Sequence, residues 1–294
     1  MKVTKVLMPF LPLCRRVLPS RLTGLSVALL KATALELAIL TGHLLLYPYG
    51  ITQERREDTT PGTPSPDAPR LPTEARPPVV LLHGFIDNRS VFVLLRRSLA
   101  QHGRQQIESL NYSPLTCDIR TAAELLGRHI EEICARTGSE RVDVVGHSLG
   151  GLIARYYVQR LGGDLRVDTL VTLGTPHAGT RVAPLANAHP IVRQMRPGSE
   201  VMEELSLPAQ GCRTRFVSFW SDLDHVMDPL ETARIDHADL LAENVQVTGV
   251  GHLALPVHPA VATRIRQALD TPGTAPTGAR TGAQAGHSGG LTVA

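Results

Sequence analysis

The chain has 294 residues, with 30 Lys and Arg against 27 Asp and Glu, giving a net charge of +3 with histidines neutral. That length allows one large domain or two small ones. The near-balance of charge, with no basic stripe carrying interleaved aromatics, argues against nucleic acid as a partner.

Lys2, Lys5, Arg15, Arg16 and Arg21 precede an apolar stretch from Leu22 to about Tyr49. The stretch is long enough to span a bilayer as a helix, and Leu44-Leu45-Leu46-Tyr47 resembles an interfacial end. Lys31, Glu36 and His43 interrupt it, and each central charge costs about 2.5–3.5 kcal/mol on insertion scales. Three readings stay open: an uncleaved membrane anchor, a signal peptide cut near Ala32-Thr33-Ala34, or an amphipathic helix lying on a membrane or covering the domain. The first two export the remainder of the chain, as a membrane-anchored extracytoplasmic domain or a secreted one, with residues 22–49 as the membrane contact. From about Thr52 to Pro78 the chain is rich in Pro, Thr and charge, as a solvated linker is. The expected organisation is a basic and apolar segment over 1–50, a linker over 51–77, a folded domain over 78–270, and a Gly-, Ala-, Thr- and Ser-rich disordered tail over 271–294.

Within the domain, apolar runs and helical periodicities alternate. Strands are expected at Val79–Leu82, Gln106–Leu110, Val142–Val145, Val167–Leu173, Arg215–Trp220 and Val245–Val250. Helices are expected at Ser90–His102, Ile119–Thr137, Leu149–Leu161 and Pro259–Leu269. The long mixed segment from Val182 to Gly211 reads equally as a lid or acyl-binding wall and as ordinary helix packed on the sheet. Alternating elements imply a mainly parallel sheet of about six strands with helices on both faces. Ligands of such sheets bind beyond the carboxyl ends of the strands.

Four cysteines, Cys14, Cys117, Cys134 and Cys212, include no C-x-x-C pair, which disfavours zinc and thioredoxin-type chemistry. Cys134 falls on the apolar face of its helix and reads as a small buried residue.

The chemistry centres on Gly146-His147-Ser148-Leu149-Gly150-Gly151, which sits between an apolar run and a helical one. A G-x-S-x-G turn from strand to helix holds its serine in a strained backbone and lifts the hydroxyl clear of the sheet. Ser148 is therefore the candidate nucleophile. It needs a base, and the base needs a carboxylate to orient it. His252, just past the last expected strand, is the candidate base, ahead of His258, His237 and His225. Asp222, Asp224 and Asp228 follow the preceding strand; Asp224 fits the acid best, and its neighbours read as turn caps. A tetrahedral intermediate needs two donors. The Leu149 N–H follows the nucleophile directly, and the Phe85 N–H follows the turn Leu82-His83-Gly84. His83 reads as a brace of that turn. His177, in Gly174-Thr175-Pro176-His177-Ala178-Gly179-Thr180, reads as a brace or pocket-lining residue. No cluster of ligands argues for a metal.

Leu82-His83-Gly84-Phe85, the Ser148 hexapeptide, Gly174–Thr180 and Gly249-Val250-Gly251-His252 together resemble the bacterial lipase and esterase branch of the α/β-hydrolase superfamily. The resemblance runs from about Pro77 to Ala268, and the Gly174–Thr180 turn is similar to turns in triacylglycerol lipases. It implies an α/β-hydrolase fold and a cofactor-free Ser148, Asp224 and His252 triad acting on carboxylic esters with apolar acyl chains. Amides, thioesters and lipid-anchor esters are reachable by the same chemistry. A hydrolase fold kept only for binding is the alternative from outside enzymology.

Overall fold

The computed structural model describes residues 33–42, 45, 76–85, 87–113, 118–182, 189–271 and 290–292. Seven parallel strands form one sheet in the order β2-β1-β3-β4-β5-β6-β7. They are β1 (Val79–Leu82), β2 (Ile107–Leu110), β3 (Val142–His147), β4 (Val167–Leu173), β5 (Arg215–Ser221), β6 (Leu241–Thr248) and β7 (Gly290–Thr292).

Period-two alternation in the central strands divides the core in two. Val80, Leu82 and Val144 face one way, towards α3 (Ile119–Thr137) and α4 (Leu149–Arg160). Val79, Leu81, Val145 and Val171 face the other, towards α2 (Val93–Gln101) and α7 (Pro259–Asp270). Every residue of β1 and β3 is buried, the signature of a parallel sheet covered on both sides. Helix α3 forms because Ala122, Leu126, Ile130 and Ile133 repeat at helical spacing on its buried face. The Asp118 side chain caps its first turn through the Thr121 N–H at 2.7 Å, and Gly138, left-handed at φ 72°, ends it.

Several boundaries differ from the sequence expectation, each for a physical reason. β3 continues two residues past Val145, because Gly146 and His147 stay in register with Thr172 and Leu173 of β4. β6 begins at Leu241 because its mostly exposed first half, Leu241–Asn244, pairs with β5, which no apolar run announces. A 3-10 turn over Arg89–Phe92 leads into α2. A seventh strand, β7, comes from the segment read as a disordered tail; residues 272–289 lie outside the described residues. In the Val182–Gly211 segment, α5 (Pro190–Gln194) and α6 (Glu200–Ser206) bury Ile191, Val192, Val201 and Leu205 in the same core as α4. They are packed helices, not a detached flap.

Of the N-terminal apolar segment, residues 33–42 form helix α1 and residue 45 is helical; the rest of it lies outside the described residues, as does nearly all of the linker. Among the described residues no helix is long and apolar enough to cross a membrane. Cys134 is buried and Cys212 half-buried, both as free thiols, and burial raises the pKa of each. Cys14 and Cys117 lie outside the described residues.

One buried ion pair ties the strand starts together. Arg104 Nη1 lies 2.7 Å from Asp143 Oδ2, both side chains buried, and Arg104 also donates to the Pro77 and Leu269 carbonyls. Removing one partner leaves a buried charge alone, a loss of about 3–5 kcal/mol. Arg104→Ala is expected to lose that much in urea unfolding, while Arg104→Met with Asp143→Leu recovers most of it. Equal stability of Arg104→Ala and wild type would contradict this reading.

Candidate active site

β3 runs straight into the turn that carries Ser148. Ser148 has φ 52° and ψ −120°, the one positive-φ residue other than glycine among the described residues. For a residue with a β-carbon such a backbone is strained, and it persists only where the surroundings impose it. Here they do. Ser148 N–H donates to the Leu173 carbonyl at 2.8 Å, and the Thr175 hydroxyl donates to the Ser148 carbonyl at 2.9 Å. A β-carbon at Gly146 would lie 2.5 Å from the Gly151 backbone, and one at Gly150 would run into the Leu82 and His83 carbonyls. Those obstacles are backbone and cannot step aside. Gly150→Ala should therefore push α4 off β1, costing about 1–3 kcal/mol of stability and most of the activity. Thermal unfolding and ester turnover check this; a variant indistinguishable from wild type in both would contradict it.

Leu149, fully buried, opens α4, so its N–H stands at the positive end of the helix beside Ser148. The loop after β1 closes on the same point. A β-carbon at Gly84 would lie 3.3 Å from the Ser148 β-carbon. Phe85 follows, half-buried, its ring edge-on to His189 at 5.8 Å, which brings the entrance to α5 beside this loop. Among the described residues neither the Phe85 nor the Leu149 N–H has a hydrogen-bonded acceptor. His83 Nδ1 lies 2.9 Å from the Gly84 carbonyl, its ring stacks on Tyr112 at 4.4 Å, and the Tyr112 hydroxyl donates to the His83 carbonyl. Burial lowers the pKa of His83, so its ring is neutral and braces the loop.

The loops after β5 and β6 supply the other half. His252 Nδ1 lies 2.7 Å from Asp224 Oδ2, the pair almost wholly excluded from water. Asp224 Oδ1 accepts from the Val226 N–H at 3.0 Å and from the Met227 N–H at 3.3 Å, which fixes the carboxylate plane. Burial pulls the His252 pKa down, but the charge and hydrogen bond of Asp224, with Asp87 and Glu36 farther off, raise it above the ordinary histidine value. The end of β4 separates this pair from the Ser148 turn. A β-carbon at Gly174 would lie 2.8 Å from Asp224 Oδ2 and 3.0 Å from His252 Nδ1, and the next residue, Thr175, holds the Ser148 carbonyl. On the other side, the His147 ring lies 4.8 Å from the His252 ring, and His147 Nε2 lies 3.2 Å from the His252 carbonyl. Residues on both flanks of Ser148 thus reach the Asp224–His252 pair. No hydrogen bond joins Ser148 to His252 among the described residues.

Most of the other candidates have structural partners. Asp222 accepts from the Gly249 N–H at 2.9 Å. His258 caps α7 through the Ala260 N–H, His237 lies 3.1 Å from the Leu207 carbonyl, and His225 is exposed. His177 is buried, with Nε2 2.9 Å from the Thr172 hydroxyl and its carbonyl held by Arg155, and burial lowers its pKa well below the ordinary value. It also lines a cavity of about 760 Å³ with Arg155, Met202, Leu205 and Arg234, which none of Ser148, Asp224 and His252 touches. Sequence reasoning missed Asp87 and His147. His147 Nδ1 lies 3.2 Å from Asp87 Oδ2, but the two are not aligned as a hydrogen bond. Asp87 stands four residues past His83 and two past Phe85, beyond the turn singled out in the sequence; its closeness to that turn was the available signal. Among the described residues no group of carboxylates, histidines and cysteines could hold a metal ion.

Comparison with known proteins places this geometry. The family model for palmitoyl protein thioesterase matches residues 78–234, more than half of the chain. The chain belongs to the palmitoyl protein thioesterase family. The matched span holds Gly84, Ser148 and Asp224 and stops short of His252. Family membership is accompanied by similarity to triacylglycerol lipases. The one from Vibrio cholerae serotype O1 is 30% identical over 168 residues, 54% of this chain and 49% of the relative. The one from Pseudarthrobacter phenanthrenivorans is 32% identical over 116 residues, 37% of this chain and 35% of the relative. The chain thus spans about half the length, or less, of the curated relatives it matches. Mature Bacillus licheniformis lipase BlEst2 superposes with a TM-score of 0.56 at 17% identity, covering 69% of this chain and 96% of that one. Aspergillus fumigatus lipase B gives a TM-score of 0.59 at 17% identity, covering 68% of this chain and 54% of that one. At these identities the likeness establishes the α/β-hydrolase fold that this palmitoyl protein thioesterase family member shares with them.

Proposed function

We propose that the chain is a serine hydrolase of carboxylic esters with apolar acyl groups, a lipase or esterase working through an acyl-enzyme. Ser148 Oγ attacks the acyl carbonyl carbon and passes its proton to His252 Nε2. Asp224 holds the His252 Nδ1–H, fixes the tautomer and stabilises the imidazolium. The Phe85 and Leu149 N–H groups receive the oxyanion, each worth about 3 kcal/mol in such sites. The imidazolium returns its proton to the leaving alkoxide, and the alcohol departs. Water, deprotonated by His252, then attacks the acyl-Ser148 ester and releases the carboxylic acid. The observation that carries this reading is the 2.7 Å Asp224–His252 pair, buried at the strand ends next to the strained Ser148 turn. Turnover of p-nitrophenyl esters by wild type and Ser148→Ala tests it. Ser148 left unlabelled by a fluorophosphonate would instead favour a hydrolase fold kept for binding.

A thioester is the second substrate class, supported by the description of the family to which the chain belongs. A thiolate leaves more readily than an alkoxide, so it needs less proton transfer from His252. Matched acyl oxoesters and thioesters, compared by kcat/KM, separate the two classes; amides and lipid-anchor esters belong in the same panel.

For location, the basic residues ahead of Leu22–Tyr49 support export, and fractionation of cells carrying the full chain tests it. Against the two exporting readings of that segment, the contacts of Glu36 support a helix covering the domain at residues 33–42, which by itself does not require export.

A further inference from the structure

An acidic side chain inside an apolar segment must find donors, and Glu36 of α1 finds them next to the candidate base. Glu36 Oε2 accepts from the Leu253 N–H at 3.0 Å, and Oε1 accepts from the Ala254 N–H at 3.0 Å. These are the two residues that follow His252. One carboxylate therefore spans two consecutive peptide groups, in charge-assisted bonds stronger than neutral ones. The fit is close: a β-carbon at Gly251 would collide with the Glu36 carboxylate. Three residues along α1, Ile39 packs on the apolar cluster that holds Ala254, Leu255 and Val261. The helix is thus seated by an apolar contact and by the carboxylate together. Across the His252 main chain, His147 Nε2 approaches the His252 carbonyl at 3.2 Å. The turn that carries His252 is held from β3 on one side and from the N-terminal helix on the other.

We propose that Glu36 is a positioning residue for His252, and that α1 acts as a strap completing the active site from outside the sheet-and-helix body. This rests on the hydrolase reading of Ser148 and His252. Glu36 touches neither substrate nor the reacting atoms; it fixes the backbone from which the imidazole projects. A small misplacement of a catalytic group is costly in rate, about 100-fold for 1 Å. The groups facing His252 are Asp224 after β5, Asp87 after β1, His147 at the end of β3, and Glu36 on α1. Three of these are carboxylates, so neutralising Glu36 removes one anion that favours the imidazolium.

The test uses the full chain and a soluble p-nitrophenyl ester, with wild type, Ser148→Ala, Glu36→Gln, Glu36→Ala, Gly251→Ala and the Glu36→Ala/Gly251→Ala double variant. Glu36→Gln, nearly isosteric, is expected to lower kcat about tenfold with KM unchanged. The acid limb of its pH–rate profile moves to lower pH, because the imidazolium loses a stabilising anion. Gly251→Ala alone is expected to resemble it, since its methyl displaces the carboxylate. In the Glu36→Ala background the carboxylate that the methyl would meet is gone, so the two effects do not add. A merely structural contact would change melting temperature but leave the pH limb in place. Wild-type kcat and an unmoved limb in both Glu36 variants, with Ser148→Ala inactive, would overturn the role of Glu36 and leave the hydrolase reading standing. Additive losses in the double variant would overturn it too. A wild-type chain that turns over no ester, or Ser148→Ala at the wild-type rate, would instead overturn the hydrolase reading and the strap with it.

Discussion

Ser148→Ala is expected to lower kcat/KM for a p-nitrophenyl ester by about 10,000-fold or more, leaving the fold intact. The substitution removes one oxygen and nothing that supports the turn. The Ser148 N–H and carbonyl carry the bonds to Leu173 and Thr175, and alanine keeps both. The loss corresponds to about 5.5 kcal/mol of transition-state stabilisation. What remains is catalysis by the oxyanion donors and binding alone. Steady-state kinetics beside thermal unfolding check this: an unchanged melting temperature with activity gone is the expected pair. An active alanine variant would mean that Ser148 is not the nucleophile.

Asp224→Asn carries the second large effect, about 10,000-fold in kcat, by a different route. The carboxylate accepts from His252 Nδ1–H, leaving Nε2 free to take the Ser148 proton. An asparagine that donates there instead reverses the tautomer. It also removes the charge that keeps the His252 pKa above its ordinary value, so burial is left to push that pKa down. The sign follows. In wild type the neutral base is lost as pH falls, and the acid limb of kcat/KM lies above the ordinary histidine pKa of about 6.5. In Asp224→Asn the residual activity has its limb below that value. Stability follows the same linkage: the gain from the charged pair is complete below about pH 6.5 and disappears as pH rises through the raised folded pKa. A pH–rate profile of both proteins decides it; coincident acid limbs would contradict the assignment.

Much of this was legible in the sequence because the contacts concerned are local or repeat with a period. The Ser148 turn declares itself in six residues, since glycine is required where a β-carbon would meet the backbone of β1 or α4. Helix α3 declares itself by spacing and by Asp118 and Gly138 at its ends. Asp224 is one of three aspartates that follow β5 in the sequence, and the structure puts its carboxylate against His252. What sequence could not convey is pairing at long range. The first half of β6 is mostly exposed, with no alternating pattern, and becomes a strand because β5 lies beside it. Gly290–Thr292 comes from a run of small residues with no pattern, and forms a strand against the far edge of β6. Glu36 bonds to residues more than 200 positions away. In the sequence it is a flaw in an apolar segment; in the fold it is an acceptor for two peptide groups. His147 occupies the variable position of the G-x-S-x-G turn, so nothing marked it as the residue that reaches the His252 carbonyl.

The most direct test is the structure of the chain after reaction with an alkyl fluorophosphonate. The account predicts phosphorus bonded to Ser148 Oγ, its oxygen about 2.7–3.1 Å from the Phe85 and Leu149 nitrogens, and the His252 imidazole within hydrogen-bonding reach of Ser148 Oγ with Asp224 still behind it. Phosphorus on another residue, or an adduct at Ser148 with the His252 ring turned away, would contradict it.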